Sequence, residues 1–514
     1  LFARERNWVT TVKPNRRFFQ QPPPNVQLIE RGIAAVKAGE WESAAKDFEA
    51  VVRVEPKNVE ALNWYGYVLL RQGKAEEAVT YLERALVLQP TNPDTHTNLG
   101  NALLLKSKRS TDDTRRAVSL FERAVQLAPD SADAHYNLGY ALARTTQYAR
   151  ACVSYRRSLE IKPDNGVAWT NLGYALLPLG KEEEARNALR KGLTYAPQNP
   201  EAWVLLAGLE LNRGDKAAAT RALETARKLD PKNIKILTGL GRVYTAAREY
   251  PLAVETYTQA AELAEADAGT DTTPRYNLGV SLAQWGKLND ALTAFDTVLK
   301  RDAGHYDAQV NAGYVLFRQE KYPEAIERFK EAIKIDRNKP LAWTNLAAAC
   351  EAEKNWSGAA FAWRRAIALE PQKYEYRFYM ASDLLRLEQY ADAITAYKEA
   401  AQMKPEAPEP LIELGRVYEI RAATEKERST MLSWLVAAQT AYEDAVRRAP
   451  NSEEARANVL RLRSIVSTIK AGADTPDTGK TEKYTPPKPT APVVPAPEKP
   501  ITAQKSGSAM GFPL

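Results

Sequence analysis

Residues 136–164 read YNLGYALARTTQYARACVSYRRSLEIKPD, and residues 169–198 read WTNLGYALLPLGKEEEARNALRKGLTYAPQ. Laid over each other on their common NLGYAL, the two place the same residue types at the same offsets 34 residues apart, from Gly139 to Gly173 and from Ala151 to Ala185. A fixed period of this size decides the architecture before any local reading does. Set so that a Pro falls at position 32, the period extends in both directions and gives twelve repeats. The Pro is Pro56, Pro90, Pro129, Pro163, Pro197 and Pro231, then Pro371, Pro405 and Pro450. In the same register position 8 is Gly or Ala throughout, from Gly32 to Gly415, and position 20 is Ala throughout, from Ala44 to Ala438.

Position 24 is large and apolar, as in Phe48, Tyr155, Phe329 and Trp363, while position 27 is small, as in Ala85, Ala226 and Ala445. Small residues at 8, 20 and 27 with a large one at 24 describe two antiparallel helices whose axes approach closely, the large side chains filling the remaining gaps. Trp169, Leu172, Gly173 and Leu176 share one face of a first helix by their i, i+3, i+4, i+7 spacing. Pro251 and Pro323 suit the first position of a second helix, where a missing N–H costs little. The Pro at position 32 ends that helix.

With these residues in hand, the two segments resemble tetratricopeptide repeats, and the resemblance runs from about Asn25 to Ser452. It implies an all-α fold: an α-solenoid of about twelve helix pairs forming a right-handed superhelix. Glu265, Ala303 and Arg337 replace the position 32 Pro in repeats seven to nine, the least regular stretch. Three insertions interrupt the period: KSKRSTDDT in the turn of repeat three, a few residues near AGTD before repeat eight, and about eleven around ATEKERSTMLSW in repeat twelve. Eleven residues are three helical turns, so the last can lengthen a helix without rotating its faces. Residues 453–470 place Ala455, Val459, Leu462, Val466 and Ile469 on one face, as a capping helix over the open end of the core requires.

The formal charge of +7 invites a nucleic-acid reading until it is divided along the chain. Residues 1–24 hold five Lys or Arg against one acid, and the stretch from Ala471 five Lys against four, so the long middle has no basic run able to follow a phosphate backbone. No nucleic-acid partner is expected. Cys152 and Cys350 stand in different repeats on apolar faces and read as buried packing. His96 and His135 occupy position 4, where other repeats carry Trp169, Trp203 and Trp343, and read as packing residues too. With no P-loop, dinucleotide fingerprint or nucleophile elbow, neither an enzyme nor a cofactor or metal is expected. No stretch nears the roughly 18 consecutive apolar residues of a membrane span.

The functional surface expected is the face of the first helices opposite the core stripe, at positions 2, 6, 9 and 13. Position 6 holds Asn98, Asn137, Asn171, Asn277, Asn311 and Asn345, although Asn costs about half a kcal/mol against Ala inside a helix. An amide offers both a donor and an acceptor, so a row of them can hold the main chain of an extended peptide. Position 9 adds Tyr67, Tyr140, Tyr174 and Tyr314, and Tyr136, Tyr276, Phe317 and Phe378 extend the surface from neighbouring positions. The six Asn resemble the asparagine ladder of the repeat arrays of O-linked N-acetylglucosamine transferases. The other reading is that they join adjacent helices. The two-Lys, Asn and Arg constellation of carboxylate-clamp repeats is not found, so chaperone tails are not expected as ligands.

These observations point to a protein-interaction scaffold that binds an extended peptide or partner protein in its concave groove. The alternative is a structural subunit built permanently into a larger membrane-attached or extracellular assembly through its arm, tail and insertions. The arm, residues 1–24, combines Trp8, Phe18 and Phe19 with Arg4, Arg6, Arg16 and Arg17; the tail, residues 471–514, is Pro-rich and suited to polyproline II. A peripheral membrane complex and an oligomer remain open. The absence of an initial Met and the Pro/Thr tail lean towards an exported bacterial protein, with the cytoplasm as the alternative.

Overall fold

The computed structural model describes residues 24–107, 110–266 and 271–471. The expected arm and tail, and the insertion near AGTD, fall wholly or mostly outside the described residues. Every regular element among those residues is helical: 25 α-helices, numbered α1–α25 in chain order, and one 3-10 turn at Leu177–Leu179, where Pro178 interrupts the first helix of repeat five. The helices pair as the period predicts, odd-numbered first helices against even-numbered second ones, with a contact between each pair's second helix and the next first helix inside each body. Two compact bodies result, one up to Pro231 and the other from Lys232. The core of the first runs without a break from Ile29 to Leu209.

The close approach inferred from the sequence is present in every repeat. All twelve position 20 alanines have no exposed surface. At the position 8 glycines the packing leaves no room for a single carbon: a Cβ on Gly139 would stand 2.8 Å from the Tyr155 ring, and one on Gly313 2.7 Å from the Phe329 ring. Both rings are themselves fully buried and cannot swing away.

The turn between the two helices has a constraint that the 34-residue pattern hides. Position 15 takes a left-handed backbone in ten repeats, at Gly39, Gly73, Gly180, Gly214 and Gly286, but also at Thr146, Arg248, Glu320, Lys354 and Glu388 with φ of 59–64°. Glycine adopts this conformation freely, whereas other residues pay for it.

First helices begin at a recurring Asx cap at position 34: Asn58 Oδ1 accepts from the Ala61 N–H at 3.0 Å, and Asn165 Oδ1 from Ala168 at 3.0 Å. Two local expectations shift. Pro251 and Pro323 fall at the second residue of α14 (Tyr250–Ala266) and α18 (Tyr322–Ile335), where the N–H is equally without an intrahelical acceptor. The insertion in repeat three adds to a helix as well as a turn: α6 (Thr111–Leu127) has 17 residues and opens on a Ser110–Asp113 capping box. The insertion in repeat twelve lengthens both α23 (Glu409–Thr424) and α24 (Arg428–Arg448), yet Ala438, Tyr442 and Ala445 keep their buried face.

α25 (Glu453–Ala471) packs on α24 through Ala455, Val459, Leu462 and Val466. It is also fastened by charge. Glu419 has no exposed surface and accepts from Arg461 at 2.7 and 2.8 Å and from the Tyr442 hydroxyl at 2.7 Å. A buried carboxylate survives there because its oxygens are fully engaged.

Two substitutions test this packing. Gly139→Ala should cost about 1–3 kcal/mol in chemical denaturation, the usual range for overpacking a filled core. Glu320→Gly should stabilise by up to about 1 kcal/mol, raising Tm by roughly 2 °C, because relief of the left-handed strain exceeds the added entropy of the unfolded chain.

Candidate functional site

The candidate site in each body is the set of position 6 and position 9 side chains on its first helices. In the first body Asn98, Asn137 and Asn171 lie on α5 (Pro93–Leu105), α7 (Ala132–Arg144) and α9 (Gly166–Leu176), whose neighbours touch. All three are half-buried, as are Tyr67, Tyr140 and Tyr174. In the second body Asn277, Asn311 and Asn345 lie on α15 (Thr273–Trp285), α17 (Tyr306–Arg318) and α19 (Pro340–Ala352). These three are 1%, 1% and 0% exposed, so the expectation of an open row does not describe them: they lie within the packing of the first-helix layer. Tyr314 beside them is half-buried, and Tyr276, expected to extend the surface, is wholly buried.

Three of the six amides bond along the array. Asn98 Nδ2 donates to Asn63 Oδ1 at 3.1 Å, Asn171 Nδ2 to the Tyr136 hydroxyl at 3.1 Å, and Asn311 Nδ2 to the Tyr276 hydroxyl at 2.8 Å. Every partner stands at position 5 of the preceding repeat, 35 residues back. The sequence reading missed this role for position 5, although a polar residue at 5 followed by Asn at 6 of the next repeat is a signal it could have used. The remaining amides differ. Val310 occupies position 5 before Asn345 and has nothing to offer it. Asn345 and Asn277 keep both amide atoms, and Asn311 its carbonyl oxygen, buried without a hydrogen-bond partner among the described residues.

The position 9 tyrosines also have an organised edge. Arg144 lies one turn after Tyr140, its guanidinium 5.8 Å from the ring centroid and bonded to the hydroxyl at 3.2 Å; Arg318 stands to Tyr314 in the same way, at 5.9 and 3.4 Å. Burial pushes the Tyr174 and Tyr276 hydroxyls above their ordinary value, so both act as neutral donors or acceptors.

The histidines take the packing roles expected. His135 Nε2 lies 3.0 Å from the Pro129 carbonyl, the same position 4 to position 32 link that Trp169, Trp203 and Trp343 make at 2.8, 2.9 and 2.9 Å. His96 is buried, its Nδ1 2.8 Å from the Asn92 carbonyl. Where repeat seven lacks the Pro, Arg275 at position 4 instead forms two 3.0 Å bonds to the Glu265 carboxylate at position 32. Cys152 and Cys350 are free and buried, and burial pushes the Cys350 thiol up to about 11. No helix among the described residues is long and apolar enough to cross a membrane.

Tetratricopeptide repeat profiles match residues 29–93, 103–166, 209–268, 276–340 and 378–437, and a second such profile matches 142–209. No curated protein matches the chain. Similar solved structures include the MamA protein, at 25% identity over 34% of this chain and 92% of that one with a TM-score of 0.30. TTC0263, a thermophilic TPR protein of Thermus thermophilus, aligns at 21% identity over 36% and 99%, with a TM-score of 0.31. A chain of the APC/C hetero-tetramer Cut9-Hcn1 aligns at 16% identity over 77% and 96%, with a TM-score of 0.35. With its profiles spread over more than half of the sequence and a helix pair at every period, the chain belongs to the tetratricopeptide repeat family.

Proposed function

We propose that this chain holds the main chain of an extended peptide or partner segment against the first helices, with the half-buried Asn98, Asn137 and Asn171 as the contacts in the first body and Asn277, Asn311 and Asn345, closed off in the packed array, as contacts in the second once its first-helix layer parts to admit the ligand. The chain is a protein-interaction scaffold of a generally non-catalytic family, and the proposal concerns where and how it binds. The observation that carries it is the unsatisfied amides of repeats eight to ten. A buried polar atom without a partner costs about 1–3 kcal/mol, and a fold with no use for these groups would do better with Ala. Adjacent first helices lie about 9–10 Å apart, and an extended chain rises about 3.3 Å per residue. One Asn would therefore meet every third residue of the ligand, bonding to its peptide groups and leaving its side chains to tyrosines such as Tyr314, or Tyr67, Tyr140 and Tyr174 in the first body. Recognition of this kind tolerates many ligand sequences.

The test compares the native chain with the double variant carrying Asn277→Ala and Asn345→Ala, the two amides with neither atom bonded among the described residues, after circular dichroism shows both helical. Partners that co-purify with the native chain are identified by quantitative mass spectrometry and titrated against both. The expected result is binding weakened at least tenfold, as loss of one or more hydrogen bonds implies, with Tm unchanged or higher. Equal affinity, with release only on deleting residues 1–24 or 471–514, would instead favour a structural subunit held through its arm or tail.

A further inference from the structure

Glu351 on α19 and Asp383 on α21 (Tyr374–Arg386) stand at position 12 of repeat ten and position 10 of repeat eleven. The same two positions in repeats seven and eight hold Thr245 and Ser281, whose hydroxyl oxygens lie 3.1 Å apart. The repeat register therefore sets the two carboxyl groups against each other across the joint between neighbouring first helices. Both are buried, at 6% and 2% exposure. Glu351 Oε1 accepts from Trp363 Nε1 at 2.7 Å, and Asp383 Oδ2 has no partner among the described residues.

The surrounding groups leave this pair short of positive charge. Arg386, one turn beyond Asp383, is the cation acting on both carboxyls, and its guanidinium is stacked over the Trp356 ring at 4.3 Å. Cys350 on α19, Tyr379 on α21, Trp363 on α20 (Trp356–Leu369) and Tyr397 on α22 (Tyr390–Met403) complete the polar neighbourhood, and burial keeps the thiol and both phenols protonated at neutral pH. Lys330 acts on the Cys350 thiol. Two full negative charges in so dry a place would repel each other and lose their hydration. One proton between them removes a charge and turns one carboxyl into a donor for the other.

We propose that Glu351 and Asp383 share a single proton at neutral pH, and that this proton latches repeat ten to repeat eleven, the joint loosening when alkali removes it. Burial raises both carboxyls, the charge of Glu351 raises Asp383 further, and Arg386 opposes both effects without cancelling them. The folded joint then binds one proton more than the open joint wherever the open carboxyls are ionised. Its stability is complete below the ordinary carboxylate range and falls as pH rises towards the raised value.

Hydrogen exchange of the α19 and α21 amides, corrected for the intrinsic effect of pH, should report opening that rises by up to about tenfold per pH unit between pH 6 and 8, the signature of one proton released. Asp383→Asn places a permanent donor beside Glu351 and should flatten that slope. Infrared difference spectra at pH 7 should show a protonated carboxyl in the native chain that the variant lacks. Glu351→Gln is the second variant, should Asp383→Asn fold poorly. Absence of the carboxyl band from the native protein, or the same pH slope in the native chain and a folded variant, would overturn the latch.

Discussion

Everything in this fold depends on a contact between a residue with almost no side chain and a large apolar residue of the same repeat. The first helix can lie against the second only because position 8 ends at the backbone or one carbon beyond it, where the ring at position 24 comes to rest, as Gly139 does for Tyr155. Residues too large for this contact would separate the helices, and separation would uncover the alanines at positions 20 and 27 together with the ring. A solenoid has no central core to absorb such a fault, since each repeat packs only on its neighbours.

Contacts between repeats obey a looser rule, in which geometry is kept while chemistry changes. The link from position 4 to position 32 is made by an indole at Trp169, an imidazole at His135, a guanidinium on a carbonyl at Arg377, and a side-chain ion pair between Arg275 and Glu265. What these share is a donor reaching the end of the preceding second helix. The loss of Pro from repeats seven to nine is thus less of a departure than the sequence suggests: Trp343 still bonds to the carbonyl of Arg337, which stands in the place of the Pro.

This difference explains what could be read from the sequence. The helix pair was legible because steric exclusion permits few residue types, and restriction of that kind recurs visibly at a fixed spacing. The inserted residues of repeat twelve were legible in their effect because eleven residues preserve the helix face. The partners of the Asn residues were not. Asn171 and Asn311 look alike in sequence, yet their bonds depend on residues 35 positions earlier, and Asn345 differs from them because Val310 stands where Tyr136 or Tyr276 would. The left-handed backbone at Thr146 or Glu320 was hidden for a related reason: closing the turn demands it of any residue, so the type of residue does not announce it.

The polar groups of the first helices consequently fall into two classes that one sequence position conceals. Asn98, Asn171 and the donor of Asn311 bond to a neighbouring repeat, and removing them would loosen the array. Asn277, Asn345 and the acceptor of Asn311 make no such bond among the described residues, so removing them would relieve it. A mutation that strengthens a fold while weakening its interactions marks a group retained for binding, because selection for stability alone would have replaced it. Stability and binding therefore need to be measured together, residue by residue, along the same ladder. The ladder divides by what the preceding repeat supplies: Tyr276 engages the Asn311 amide from inside the array, whereas Val310 gives the buried Asn345 amide nothing to bond to.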